Sequence, residues 1–179
     1  MCVPSRKPSN TSLNRKQRKL RYFVDRNLGA LLLPTQLRGA GLDLVVHDDV
    51  FPQTERDPWI FYQCGIQHLV VITSDTSFMK SFPHMAAIAL AQTSVIAFTN
   101  NNYKSAVRGE AFIKARASIE RALMKHKGKY FIGLVGMNGT FTIRAESPLP
   151  SRRLCEQSDW ESYERVCRRA GVLSLAPRH

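Results

Sequence analysis

The chain has 179 residues, 44% hydrophobic and 22% charged, which suits one globular domain with tails and a substantial apolar core. Its formal net charge is +12, which points toward anionic partners. No apolar stretch reaches membrane-span length and the first thirty residues hold no signal-peptide apolar core, so neither a membrane protein nor a secreted one is expected.

In chain order, the first segment is a basic arm. Residues 1–21 hold seven Lys or Arg and no acid, while residues 22–143 hold twelve bases against nine acids. More than half of the charge excess therefore sits on residues 1–21, of which the arm 1–20 is expected to be disordered. Each Lys or Arg near a phosphate releases a counterion, so the arm favours polyanions, nucleic acid first, with a solubilising tail as the plainer alternative. "SNTSLNRKQRKLR" has too few apolar residues for the amphipathic helix of a mitochondrial transit peptide. The four cysteines (Cys2, Cys64, Cys155, Cys167) form no CxxC pair and no metal-type cluster. They read as reduced thiols of a cytoplasmic protein.

From residue 21 short apolar runs alternate with helix-length segments. "LRYFV" predicts a strand, and "LLLPTQLRGAG" a helix with Pro34 in its first turn and Gly39 or Gly41 at its end. "LDLVVH" is a second strand and "DDVFPQTER" a polar loop. Asp57-Pro58 has the form of an N-cap followed by Pro at the first helical position, opening "DPWIFYQCGI". "HLVVIT" is too continuously apolar for a wet face, which predicts a buried parallel strand. "PHMAAIALAQ" reads as a short helix and "SVIAFT" as a fourth strand. Lys104 to about Lys127 reads as a long helix with Ala106, Phe112, Ile113, Ile119 and Leu123 near helical spacing. Two apolar runs flank Asn138-Gly139, the preferred pair for a tight hairpin turn. An Arg-rich extension, residues 147–179, carries one helix with Trp160, Tyr163 and Val166 on one side. The domain is therefore expected over 21–146, as an α/β fold with a mostly parallel central sheet and an edge hairpin.

In such sheets ligands gather at the carboxyl ends of the strands. Asp25 follows the first strand, Asp75 follows the third, and Asp57 starts the helix that leads into the third. All three carboxylates are thus expected at one edge. Clustered carboxylates repel, and a hard cation with oxygen ligands is the usual resolution. The alternative is that Asp25 and Asp57 cap the helices that follow and Asp75 caps the turn before "FMKSF". Fold logic alone leaves the two readings even.

The order "FVDRNLG…LP..LR.AGLDLVVH.D.FP….D.WI..CG….VVITSD" resembles the PIN-like nuclease domains, in their small VapC-like, toxin-type branch. The likeness spans about Arg21 to Arg144 and leaves out both tails. Its pieces are Asp25-Arg26-Asn27, Pro34, His47, Asp49, Phe51-Pro52, Asp57, Trp59, and Thr73 with Asp75; they are specific as a combination and not singly. The resemblance implies a three-layer α/β/α fold and a cluster of acids that binds Mg²⁺ or Mn²⁺ and cleaves single-stranded RNA. It carries Asp25, Asp57 and Asp75 over as metal ligands and catalytic residues. Asn27 and Thr73 are polar neighbours in the same loops, and His47 and Asp49 orient the loop before the Asp57 helix. As partners it implies RNA, an antitoxin protein of a type II toxin–antitoxin pair, and a homodimer. The chain departs from the pattern at Ser74, where many relatives carry a base, and at "PHMAA", where a Glu is common and His84 or Met85 stands. His84 there could bind a transition metal or position a phosphate, against the plainer reading of a surface residue.

A response-regulator receiver is excluded, because "FPQTERDP" breaks the helix such a domain needs directly after "LDLVVHDDV". The rival readings are a non-catalytic nucleic-acid-binding module and a partner-docking protein. In either, the basic arm, the helix 104–127 and the Arg-rich tail do the binding and the acids are caps.

Overall fold

A computed structural model of the chain describes residues 19–100, 102–126 and 129–146. The expectations for residues 1–18 of the arm and for the extension 147–179, including its helix, lie outside the described residues.

The strands are β1 (Arg21–Val24), β2 (Asp43–Val46), β3 (Leu69–Thr73), β4 (Val95–Phe98), β5 (Phe131–Val135) and β6 (Phe141–Glu146). The helices are α1 (Leu32–Gly39), α2 (His47–Val50), α3 (Asp57–Ile66), α4 (Phe82–Ala91) and α5 (Ser105–Lys125). One six-stranded sheet has the order β2-β1-β3-β4-β5-β6, parallel throughout except for the β5–β6 hairpin. β3, with all five residues buried, is the two-sided interior strand that its unbroken apolar run predicts.

Strand periodicity divides the core in two. Tyr22, Val24, Val70, Ile72, Ile96 and Phe98 face one way and pack under α1 and α5 through Leu33, Leu37, Phe112 and Ile119. Phe23, Val71, Val95 and Ala97 face the other way and pack under α3 and α4 through Ile60, Phe61, Cys64 and Ile88. The described residues are thus an α/β/α sandwich with helices on both faces. The β3–α4–β4 and β4–α5–β5 crossovers step the same way along the sheet, yet α4 and α5 lie on opposite faces. The two crossovers therefore have opposite hands, and the β4–α5–β5 unit differs from the other three parallel connections. Because almost all such connections are right-handed, this helix is on the face that the rule would not choose.

Two local expectations are corrected and a third is refined. His47–Val50 forms one helical turn where a loop is predicted, with the Phe51 amide closing it onto the His47 carbonyl at 2.9 Å. Asn138-Gly139 does lie in the tight turn of the β5–β6 hairpin, as expected. The Gly136 amide donates to the Thr140 carbonyl and the Gly139 amide to the Gly136 carbonyl, both at 2.9 Å, which makes a three-residue loop. Gly139, at φ +86°, supplies the left-handed residue this loop needs. In α5 only part of the apolar spacing is core: Phe112 and Ile119 are buried, whereas Ala106 and Ile113 are exposed.

Candidate functional site

The register of the sheet builds the site. Val24 pairs with Val46 on one side and with Ile72 on the other. The next residues, Asp25, His47 and Thr73, therefore share one row at the carboxyl end of three adjacent strands. By alternation all three continue the side of the sheet that faces α3 and α4. The chain leaves β1 by way of α1 on one face and leaves β3 by way of α4 on the other, so the β1/β3 junction is the topological switch point of the sheet. Ligands of open α/β sheets bind at such a junction.

Asp25 is held there by side chains. Thr73 Oγ1 donates to Asp25 Oδ2 at 2.7 Å, and Asn27 Nδ2 donates to the same oxygen at 2.8 Å. Asn27 Nδ2 also lies 2.9 Å from Thr73 Oγ1. The Asn27 Oδ1 accepts from the Ser74 amide and hydroxyl, each at 3.1 Å. Asp25 makes no side-chain cap bond to the turn Arg26–Leu28 that follows it; its side-chain hydrogen bonds come from Asn27 and Thr73. Burial pushes its carboxyl above the usual range. The Thr73 hydrogen bond opposes that rise, and the nearby Asp57 carboxylate adds to it.

Asp57 is the first residue of α3, with Arg56 in the cap position. Its partner is the Arg26 guanidinium, which ion-pairs with Asp57 Oδ1. Arg26 also donates from Nη1 to the Gln53 carbonyl at 2.6 Å and from Nη2 to the Glu55 carbonyl at 3.4 Å. One side chain next to Asp25 thus ties down the whole segment that leads into α3. Sequence reasoning missed this role, since a single Arg beside an Asp carries no signal of its own.

Asp75 behaves as the capping alternative predicts. Its Oδ1 accepts the Ser77 amide at 2.7 Å and its Oδ2 accepts the Ser77 hydroxyl at 2.8 Å, at the start of the turn Ser77–Lys80. The Asp75 amide donates to Thr73 Oγ1 at 3.1 Å, which links this loop to Asp25.

His84 stands in the first turn of α4, half-buried, against the edge of the Phe61 ring and 2.6 Å from the Ser81 hydroxyl through Nδ1. It is not the plain surface residue of the alternative reading. Burial pulls its imidazole below the usual value, while Asp57, Asp75 and Asp25 all pull it upward. The one ring therefore lies within electrostatic reach of all three acids.

His47 and Asp49 separate. His47 is fully buried against Phe23 and Phe51, with Nδ1 2.9 Å from Asp48 Oδ1. Gln53 Nε2 donates to the same Asp48 oxygen at 2.6 Å, and the Gln53 carbonyl accepts from Arg26. His47 thus orders the segment before α3 through a chain of contacts that ends at Asp57. Asp49 is exposed, 3.8 Å from Arg38, and takes no part in that chain.

For Mg²⁺ or Mn²⁺ the donors fit in kind, because Asp25 is a half-buried oxygen donor with a second carboxylate nearby. They do not fit as placed: Asp57 is paired with Arg26, and Asp75 with Ser77. Among the described residues no three His, Cys, Asp or Glu side chains stand as a ready metal-binding group. No family model matches the chain, and no curated protein and no solved structure matches it either.

Proposed function

We propose that the chain is a PIN-like ribonuclease that hydrolyses RNA phosphodiester bonds with Mg²⁺ or Mn²⁺. One observation carries the reading. At the switch point of the sheet, Asp25 is half-buried with the Asp57 carboxylate nearby, its carboxyl held by Thr73 and Asn27, and the half-buried His84 lies within electrostatic reach of Asp25, Asp57 and Asp75. Asp25, Asp57 and Asp75 would hold the cation, which supplies phosphate polarisation and a water of lowered pKa. The chain's own residues do the rest. Thr73 and Asn27 fix the Asp25 carboxylate, and Ser74 fixes Asn27. Arg26 sets the segment that presents Asp57.

RNA affinity falls to the basic arm and to α5, with one restriction. Arg108 is buried, and Arg116 is committed to Glu120 and the Ala40 carbonyl. Lys104, Lys114, Arg121 and Lys125 remain as the exposed bases of that helix region. On the resemblance alone, we further assign the protein as the toxin of a type II toxin–antitoxin pair, with an antitoxin protein as partner and the cytoplasm as its place. No helix among the described residues is long and apolar enough to cross a membrane.

The test is cleavage of single-stranded RNA with Mn²⁺. The activity should be abolished by EDTA and lost in Asp75→Asn, with RNA binding retained. If a clean preparation cleaves nothing, and Mn²⁺ leaves the melting temperature unchanged, the acids are structural. One observation favours that second reading of a non-catalytic nucleic-acid-binding or partner-docking protein: Asp57 and Asp75 already have partners within the chain. Such a protein would bind RNA in a salt-dependent way, or copurify with an acidic partner, and would cleave at no concentration.

A further inference from the structure

Among the described residues Tyr103 is the one Phe, Tyr or Trp side chain that is exposed, at 42%, and no hydrogen bond or ring contact ties it down. It follows β4 and directly precedes Lys104, which is exposed as well. Two contacts fix where it stands. Asn100 Oδ1 accepts the Asn102 amide at 2.8 Å, which turns the chain just before Tyr103. One turn into the two helices, Gln36 of α1 lies over Gly109 of α5, where a Cβ would collide with it. The starts of α1 and α5 are therefore side by side, and Leu31 and Leu32, 76% and 74% exposed, stand level with Lys104. With Val107, four exposed large apolar side chains gather on one rim, and a gathered patch of this kind marks a binding surface where scattered residues do not.

The rim stands on the α1 and α5 side of the carboxyl edge, across the sheet from the side that Asp25, His47 and Thr73 continue. β4 is the neighbour of β3, so the loop that carries Tyr103 adjoins the loop of Ser74 and Asp75. Residues 26–42 and 102–109, which build the rim, hold four bases and no acid. An apolar surface with this charge suits a ligand that is flat and apolar in one part and anionic in another.

We propose that the rim is a nucleobase platform, on which a base of single-stranded RNA stacks against Tyr103 beside Leu31 and Leu32, with a phosphate on Lys104. The proposal rests on the reading of RNA as the ligand and needs no bound cation. Every base has a π-face, so a free Tyr ring next to a Lys takes unpaired bases without regard to their sequence. Duplex RNA keeps its bases stacked on one another and offers the ring nothing. The platform thereby selects single strands and holds the nucleotide that neighbours the one over the switch point.

The experiment is fluorescence anisotropy of the full chain with a short labelled oligoadenylate and with an abasic ribose-phosphate strand of the same length. EDTA is present throughout, so that neither cleavage nor a cation contributes. Tyr103→Ala should weaken oligoadenylate binding about five-fold or more, the range of base stacking on an aromatic side chain. Its salt slope should match wild type, because no phosphate contact is lost. Tyr103→Phe keeps the ring and should bind as wild type does, whereas Tyr103→Leu keeps apolar bulk without a ring and should lose nearly as much as Ala. On the abasic strand all four proteins should bind alike. Wild-type affinity in Tyr103→Ala, or an equal loss on the abasic strand, would overturn the platform and leave the RNA reading standing; the rim would then serve another partner, such as an acidic apolar peptide. A Leu variant as tight as wild type would overturn stacking in the same way. If wild type binds neither strand, the RNA reading and the platform fall together.

Discussion

Thr73 Oγ1 donates to Asp25 Oδ2 at 2.7 Å across 48 residues of sequence, and the sheet register accounts for it. The same hydroxyl oxygen lies 2.9 Å from Asn27 Nδ2 and accepts the Asp75 amide at 3.1 Å. Thr73 is fully buried, so its hydroxyl is the hub of the site and has no water to replace it. Thr73→Val keeps the shape and deletes the hub. It leaves the half-buried Asp25 carboxylate and Asp75 amide each short of a hydrogen bond, at a cost of about 1 kcal/mol, and should cut any Mn²⁺-dependent cleavage as Asp25 loses its anchor. Thr73→Ser should keep both properties close to wild type. A Val variant as stable as the Ser variant in urea unfolding would show that the hydroxyl holds nothing.

The Asp25 carboxyl titrates above its usual value of 3.8, chiefly through burial. Between the ordinary and the raised value the folded protein binds a proton that the unfolded chain does not. The group's contribution to stability is thus largest below 3.8 and is lost as pH rises through the folded value. At pH 7 the half-buried charge is a net cost. Asp25→Asn should therefore melt above wild type at pH 7 without added metal, and the gap should close as pH falls toward 4. Equal melting temperatures at pH 7 and pH 4 would mean that the folded carboxyl titrates as it does in the unfolded chain.

Much of the fold is legible residue by residue. The "LVVI" within "HLVVIT" has no polar position to turn toward water, and it becomes the interior strand with both faces covered. Asp25, Asp57 and Asp75 reach one end of the sheet because strand ends and helix starts alternate there. The helix 105–125 shows the limit. Its apolar spacing gives a buried stripe but not a side of the sheet, and the right-handed rule would have placed it beside α3 and α4. The partners of the acids are also beyond local reading. Whether an Asp caps its own helix or turns to a distant Arg depends on a contact like Arg26 to Asp57, 31 residues apart. Asp75, whose partner is two residues away, is the one whose capping role the sequence could suggest.

The two helices under the site meet closely at Gly65. A Cβ there would lie 2.5 Å from the Ala91 carbonyl oxygen and 2.2 Å from Thr93 Oγ1, a hydroxyl that donates to the Phe61 carbonyl. Backbone cannot yield as a flexible side chain would. Gly65→Ala should force α3 and α4 apart and destabilise the fold by about 1–3 kcal/mol, or about 2–4 °C in melting temperature per kcal/mol for a chain of this size. Gly39→Ala, where nothing lies within 4 Å, is the matched control and should cost far less.

The position of the bases along α5 makes a final distinction. The helix follows β4, so Lys104 lies at the carboxyl end of the sheet with the acids. At 1.5 Å per residue, Lys125 lies roughly 30 Å farther along the axis. If RNA is held over the acid cluster, Lys104→Ala should weaken binding of a short single-stranded RNA and lower the salt slope by about 0.7, one phosphate's worth. Lys125→Ala should leave a short RNA unaffected and matter only for longer strands that run down the helix. Fluorescence anisotropy with RNAs of two lengths, titrated at several salt concentrations, separates these outcomes. Equal losses for both variants on the short RNA would place the strand along α5 and away from Asp25, and would take the nucleic acid off the site built at the switch point.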